Sequence, residues 1–188
     1  MPGDTEPDDA VVIGASIRRP ERFAAIFDRH AGHIQRYLVR RLGRQVAEDL
    51  LAETFLVAFR KRAKYDLARP DARPWLYGIA TNLVSQRRRA EIQEFRLRAA
   101  LSPEPDPHCH ADRVAAQVTA QATQRVLAAG LADLAAGDRD VLTLVAWEGL
   151  TYDEVAESLQ IPVGTVRSRL HRARRVLRAA LLKETVHG

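Results

Sequence analysis

The stretch GLTYDEVAESLQIPVGTVRSRLHRARRVL, residues 149–177, decides how the rest of the chain is read. Thr151 and Glu154 stand three apart ahead of an apolar run, the spacing of a capping box. The box opens a short helix with Tyr152, Val155, Ala156 and Leu159 facing inward, and LQIP then makes a tight turn. From Val163 the apolar positions Val163, Val166, Leu170, Ala173 and Leu177 recur at spacings of three and four, a core stripe. The opposite side carries Arg167, Ser168, His171, Arg172 and Arg175. Helix, short turn and a second helix with polar donors near its start is the helix-turn-helix plan, whose second helix enters the major groove. An ordinary solvated face would mix its charges, yet six arginines fall between 167 and 178 with no Asp or Glu among them. Thr165 and Ser168 suit phosphate or base, while Arg167 and Arg172 can fork onto guanine O6 and N7. The motif implies DNA without saying which kind of DNA-binder carries it.

Composition agrees. The chain has 188 residues, 46% of them apolar, enough for one large domain or two small ones. Its formal charge of +5 favours anionic partners. Lysine occurs only at 61, 64 and 183, so the cationic residues are nearly all arginine, which suits bidentate contact with phosphate or guanine. A single cysteine, Cys109, excludes an internal disulfide framework. No apolar run approaches the roughly 20 residues of a membrane span and no signal-peptide core is evident, so a soluble cytoplasmic protein is expected.

Upstream, residues 1–17 hold Asp4, Glu6, Asp8 and Asp9 among Pro and Gly and read as a disordered acidic tail. From Pro20 the pattern turns helical, with Phe23, Phe27, His30, Ile34, Tyr37, Leu38 and Leu42 at spacings of three and four. A second helix runs over about 46–64, acidic in its first turns and basic in its last, as the helix dipole favours. YDLARPDARP, 65–74, is a loop, and Pro74 suits the first turn of a third helix reaching about residue 98. Leu76, Ile79, Ala80 and Leu83 are its core stripe, while Gly78, Thr81, Asn82, Ser85, Arg88 and Arg89 form another face, small and polar, then cationic. LSPEPDPHCHAD, 101–112, breaks the pattern with a run of prolines and reads as a linker. Helical periodicity resumes near residue 116, and Asp138 is placed as the cap of a helix that Gly149 ends. No segment alternates like a strand. The expected fold is all-α: two small helical domains joined by a flexible Pro-rich linker.

The blocks VAEDLLAETFLVAFRK and RPWLYGIATNLVSQRRR, then the proline-rich linker, then the helix-turn-helix resemble the extracytoplasmic-function (group IV) branch of the bacterial sigma-70 family. The resemblance spans roughly residues 20–182 and rests on two motif blocks in the right order. It implies a promoter-specificity subunit of RNA polymerase: region 2 at 18–99, a linker at 100–115, region 4 at 116–183 and a short tail at 184–188. Region 2 would bind core polymerase, through its β and β′ subunits, and recognise and melt the −10 element, with region 4 reading the −35 element. By motif, the helix over 47–62 would dock on the core enzyme through Asp49, Glu53 and Thr54. Asn82 matches a near-signature asparagine and joins Tyr77, Ser85, Arg88 and Arg89 as the −10 set; the −35 set is Thr165, Arg167, Ser168, His171, Arg172 and Arg175. The loop around 67–73 corresponds to the place where the family captures a base flipped from the non-template strand. An aromatic at helical spacing is more often core, so Trp75 is read as structural, while Tyr77 stays open between core and a base-stacking platform. An anti-sigma partner is usual for the family and expected here. Two departures stand out. Gln160 occupies a turn position where many relatives place Gly, a substitution costing about 1 kcal/mol. His171 stands where relatives often carry an aromatic or another polar residue.

Other chemistry is not supported. His108, Cys109 and His110 are consecutive and have no partner pair at zinc-site spacing, so no metal is expected. A P-loop and a paired nucleophile and base are also missing, so neither a cofactor nor catalysis is expected. A stand-alone helix-turn-helix repressor is the competing class. It has no need of a second cationic helix preceded by a Pro-rich loop, and 20–64 show no ligand-pocket pattern.

Overall fold

The computed structural model describes residues 7–101 and 120–187, and all regular elements among them are helical. Helix α1 spans Asp9–Arg18, α2 Ala24–Leu42, α3 Arg44–Lys61 and α4 Arg73–Leu101. After the undescribed stretch come α5 (Ala120–Asp133), α6 (Ala136–Ala146), α7 (Tyr152–Leu159) and α8 (Val163–His187). Short 3-10 turns at Pro20–Phe23 and Arg62–Lys64 lead into α2 and out of α3. The proline-rich linker, with Cys109 and its flanking histidines, lies outside the described residues.

Local chemistry sets the boundaries. Gly43, at φ 83°, separates α2 from α3. Asp71 accepts from the Arg73 amide (2.8 Å) at the start of α4. The capping box forms as expected: the Thr151 amide donates to Glu154 Oε2 (2.7 Å) and the Glu154 amide to Thr151 Oγ1 (3.3 Å). Gln160 closes α7 in the left-handed region, φ 52° and ψ 47°, its amide bonded to the Glu157 carbonyl (3.1 Å). Asp138 does not cap α6. Ala135 holds the N-cap position, and Asp138 sits in the first turn with its carboxylate engaged by Arg172.

The N-terminal segment departs from the expected disordered tail. Asp9–Arg18 is helical, and Ala10, Val12, Ile13 and Ser16 are buried. The acidic residues suggested solvation, but Asp9 is itself buried against Arg29, His30 and the Ala72 amide, which offset the cost of desolvating it.

Helices α1–α4 enclose one apolar core through Ile13, Ile26, Ile34, Leu38, Leu76 and Val84, all fully or almost fully buried. In the C-terminal module Val141, Leu144, Val155, Val166, Leu170 and Ala173 do the same, so the core stripe read for α8 is inward. Phe27 is instead exposed, its ring resting edge-on against Phe55 at 4.8 Å.

The two modules pack against each other, α4 on α7, with α6 also touching α4. The approach is closest at Gly78, where a Cβ would stand 2.4 Å from the Ser158 carbonyl oxygen. Ser158 Oγ donates to the Pro74 carbonyl (2.7 Å), and Arg73 to the Glu148 carbonyl (3.0 Å). Arg41, from α2, reaches Asp140 (2.5 Å) and Thr143 (3.1 Å) on α6.

Two outcomes follow from this geometry. Gly78→Leu cannot keep the α4–α7 contact, so its radius of gyration by small-angle X-ray scattering should rise while helix content by circular dichroism stays constant. Gln160→Gly relieves a left-handed side chain and should raise stability by up to about 1 kcal/mol in urea unfolding.

Candidate nucleic-acid interface

Helix α8 buries one stripe against α6 and α7, and that fixes where its arginines point. Arg167, Ser168, His171 and Arg175 are exposed and Thr165 half-buried, as a groove-reading face requires. Two residues left out of the expected set join them. Arg174 and Arg178 share a concave surface with Arg167, His171, Arg175 and Tyr152. Their spacing of three and four from His171 and Arg175 is the sequence signal that would have included them.

Arg172, also exposed, has a partner within the module. Its Nε and Nη2 fork onto the two Asp138 oxygens at 3.0 and 2.9 Å, which raises its pKa and ties α8 to α6. The side chain stays half exposed, so this surface pair competes with a contact to DNA without excluding it. Arg169 also turns inward, its Nη1 2.6 Å from where a Cβ on Gly137 would stand. The arginines therefore divide: 169 turns toward the module, 172 is half exposed and paired with Asp138, and 167, 174, 175 and 178 face away.

On α4, Asn82 and Arg89 are exposed and Ser85 and Arg88 half-buried. Arg88 donates to the Arg41 carbonyl (3.0 Å). Burial, with Arg41 and Arg139 nearby, lowers its pKa. Thr81, on the same face, is buried and bonded to the Tyr37 hydroxyl (2.8 Å). Tyr77 departs from the expected DNA-facing set. It is fully buried, packs edge-on against Tyr37 at 5.5 Å, and donates its hydroxyl to Glu148 Oε2 at 2.6 Å. Burial and the adjacent carboxylate both raise its pKa. In this arrangement Tyr77 belongs to the junction between modules. Trp75 packs on Tyr65 at 4.9 Å, in keeping with a structural role.

On α3, Asp49 and Glu53 are exposed together with Leu56 and line an open depression of about 570 Å³ shared with Arg87 of α4. Thr54, like Tyr77, departs from the expected set. It is fully buried, and its hydroxyl donates back to the Leu50 carbonyl (2.6 Å), so it presents nothing to a partner. It follows Glu53 in sequence but lies about 100° around the helix, on the core side.

Among the described residues, one group could hold a cation: Asp9, His30 and Asp71. Arg29 occupies one Asp9 oxygen, and His30 and the Ala72 amide share the other, an arrangement of an anion with its donors rather than an open ligand set. No helix among these residues is long and apolar enough to cross a membrane.

Comparison with known proteins gives two matching family models: Sigma-70 region 2 over residues 26–92 and Sigma-70, region 4 over 124–177. The extracytoplasmic-function (ECF) RNA polymerase sigma factor SigL of Mycobacterium tuberculosis is 33% identical over 174 residues, covering 92% of this chain and 96% of the relative. SigW of Bacillus subtilis, another ECF sigma factor, is 31% identical, covering 86% and 89%. Among solved structures, CnrH in complex with the cytosolic domain of CnrY superposes with a TM-score of 0.64 at 24% identity, covering 92% of this chain and 96% of that one. RpoE of Bartonella quintana, bound to the anti-sigma factor NepR, gives 0.63 at 20%, covering 85% and 96%. The two structures share the fold.

The two kinds of arginine separate experimentally. Arg172→Ala should lower the melting temperature of the isolated protein, because Asp138 loses its partner, whereas Arg167→Ala should leave it unchanged; differential scanning calorimetry reads both.

Proposed function

We propose, since this chain belongs to the extracytoplasmic-function branch of the sigma-70 family, that it directs RNA polymerase by reading a −35 element with α8 and opening a −10 element with α4. As a sigma factor it is a non-catalytic specificity subunit, and the phosphoryl chemistry of transcription belongs to the core enzyme. The observation that carries the finer assignment is the outward face of α8, where Arg167, His171, Arg174, Arg175 and Arg178 stand clear of a helix locked by its opposite stripe. Rigid support on one side and bidentate donors on the other is what groove readout demands. Phosphate contacts from the outer arginines fix register, and Arg167 with His171 supplies base contacts nearest the start of the helix.

The −10 element falls to Asn82, Ser85, Arg88 and Arg89 on α4, the helix that follows the 65–72 loop. A flipped base costs a few kcal/mol to extrude, which edge and stacking contacts in a pocket offset. Asp49 and Glu53, with the exposed Leu56, form the docking surface for the β and β′ subunits of core polymerase. Function so assigned places the protein in the cytoplasm with the polymerase. RpoE is solved with an anti-sigma factor and CnrH with the cytosolic domain of CnrY, and a protein inhibitor of the anti-sigma kind is the corresponding partner for this chain.

The closed arrangement cannot serve both elements at once. Their centres lie about 25 base pairs apart, roughly 85 Å at 3.4 Å per base pair. Here α8 packs on α7 and α7 on α4, two helix-to-helix steps of about 10 Å each. Promoter engagement therefore requires the α4–α7 contact to part, and polymerase supplies separate seats for the modules. Opening also uncovers Tyr77.

Runoff transcription with core polymerase tests this function. Transcripts should start from a promoter selected out of a random library, and the chain alone should bind that duplex weakly. Tight sequence-specific duplex binding without polymerase would overturn it in favour of a repressor. Asn82→Ala should reduce the permanganate-reactive bubble while leaving −35 protection intact, whereas Arg167→Ala should cost about 1–3 kcal/mol at the −35 element.

A further inference from the structure

Helix α1 lies apart from the outward face of α8, the α3 surface and the polar face of α4. It touches the 62–72 segment at three places. The Asp9 amide donates to the Pro70 carbonyl (3.0 Å), and Asp9 Oδ2 accepts from the Ala72 amide (2.9 Å). Leu67 lies over Gly14, its methyls 3.5 Å from where a Cβ would stand. Arg62 Nε donates to the Ser16 carbonyl (3.3 Å). Otherwise the loop is held by bonds within itself, such as Tyr65 to Arg69 (2.7 Å), by the Tyr65–Trp75 ring contact, and by the exposed Arg69–Glu157 pair.

Asp9 is built as an immobile anchor. Arg29 donates to its Oδ1 (2.9 Å), and His30 Nε2 meets Oδ2 at 2.7 Å. Burial alone would push this carboxyl up, but the bonds from His30, Ala72 and Arg29 outweigh it and hold the pKa down at about 2. The charge, and with it the grip on the loop, persists throughout the physiological range. A recognition loop fixed before binding discriminates better than one ordered by its ligand, because misfit cannot be relieved by loop movement.

We infer that α1 is a strap on the 65–72 loop and that Asp9, through Pro70 and Ala72, positions this loop for selection among −10 bases. The inference rests on the loop being the base-capturing element proposed above. Asp9 is a positioning residue and touches no DNA itself.

The full chain is assembled with core polymerase, and single-stranded non-template oligonucleotides are selected from a pool randomised across the −10 element. Asp9→Asn keeps the shape of the side chain but removes its charge. Gly14→Val pushes Leu67 aside and leaves Asp9 intact, so it keeps the test alive if Asp9→Asn fails to fold. In both variants the preference for the selected base over its alternatives should fall on the order of 10-fold, the size expected for one lost charge-assisted bond. Binding of core polymerase and of a −35 duplex should stay within about twofold. Hydrogen exchange at the Ala72 amide should accelerate in Asp9→Asn while amides of α2 remain slow. Wild-type base preference in either folded variant, or loss of core binding in proportion to loss of preference, overturns the inference. Ala68→Asp, which puts a negative charge at the exposed loop tip, separates the two levels. If it too leaves −10 binding unchanged, the loop is not the reader; if it abolishes that binding while the α1 variants are silent, only the strap fails.

Discussion

The arrangement depends on one desolvated cation. Arg41 projects from α2 through the junction between modules, where its Nη2 donates to Asp140 and its Nη1 to both Thr143 and the Tyr37 hydroxyl. A guanidinium buried without a carboxylate would be strongly unfavourable, so α6 must come to α2 for Arg41 to stay inside. Tyr37 carries the constraint further by bonding Thr81 on α4. The network joins α2, α4 and α6 by polar contacts with demanding geometry, which selects one relative placement of the modules where apolar surfaces alone would allow several.

Much of the architecture was legible in the residues. The capping box at Thr151 and the turn at Gln160 have the geometry their spacing implied because each is set by contacts within a few residues. The stripe of α8 is inward because its three-and-four spacing gathers the apolar side chains on one face. Where the chain departs from its sequence, a distant partner is responsible. Asp9 looked like part of a solvated tail because Arg29, His30 and Ala72, which make its burial tolerable, are 20 or more residues away. Tyr77 was undecided until Glu148, from the other module, accepted its hydroxyl.

The candidate site shows the same limit at finer scale. Helical spacing put Arg172 on the outward side of α8, but a long side chain can curl back, and the Asp138 carboxylate gives it reason to. Conversely, Arg174 and Arg178 were within reach of periodicity, since an arc of positions three and four apart contains them. Thr54 illustrates a simpler hazard: neighbours in sequence sit far apart around a helix, and a surface named from a block of text includes residues that the helix turns inward.

Not all the contacts across the junction respond alike to salt. The Arg40–Glu148 pair has an arginine 47% exposed, and Arg69–Glu157 is similarly open to solvent, so mobile ions screen both. Arg41–Asp140 is sheltered from them. In the proposed function the arginines of α8 meet DNA, and such contacts weaken as counterions accumulate, with a steepness set by the number of phosphates engaged. Rising salinity thus loosens the rim of the folded-shut form first, leaving the sheltered pair to hold the halves in register.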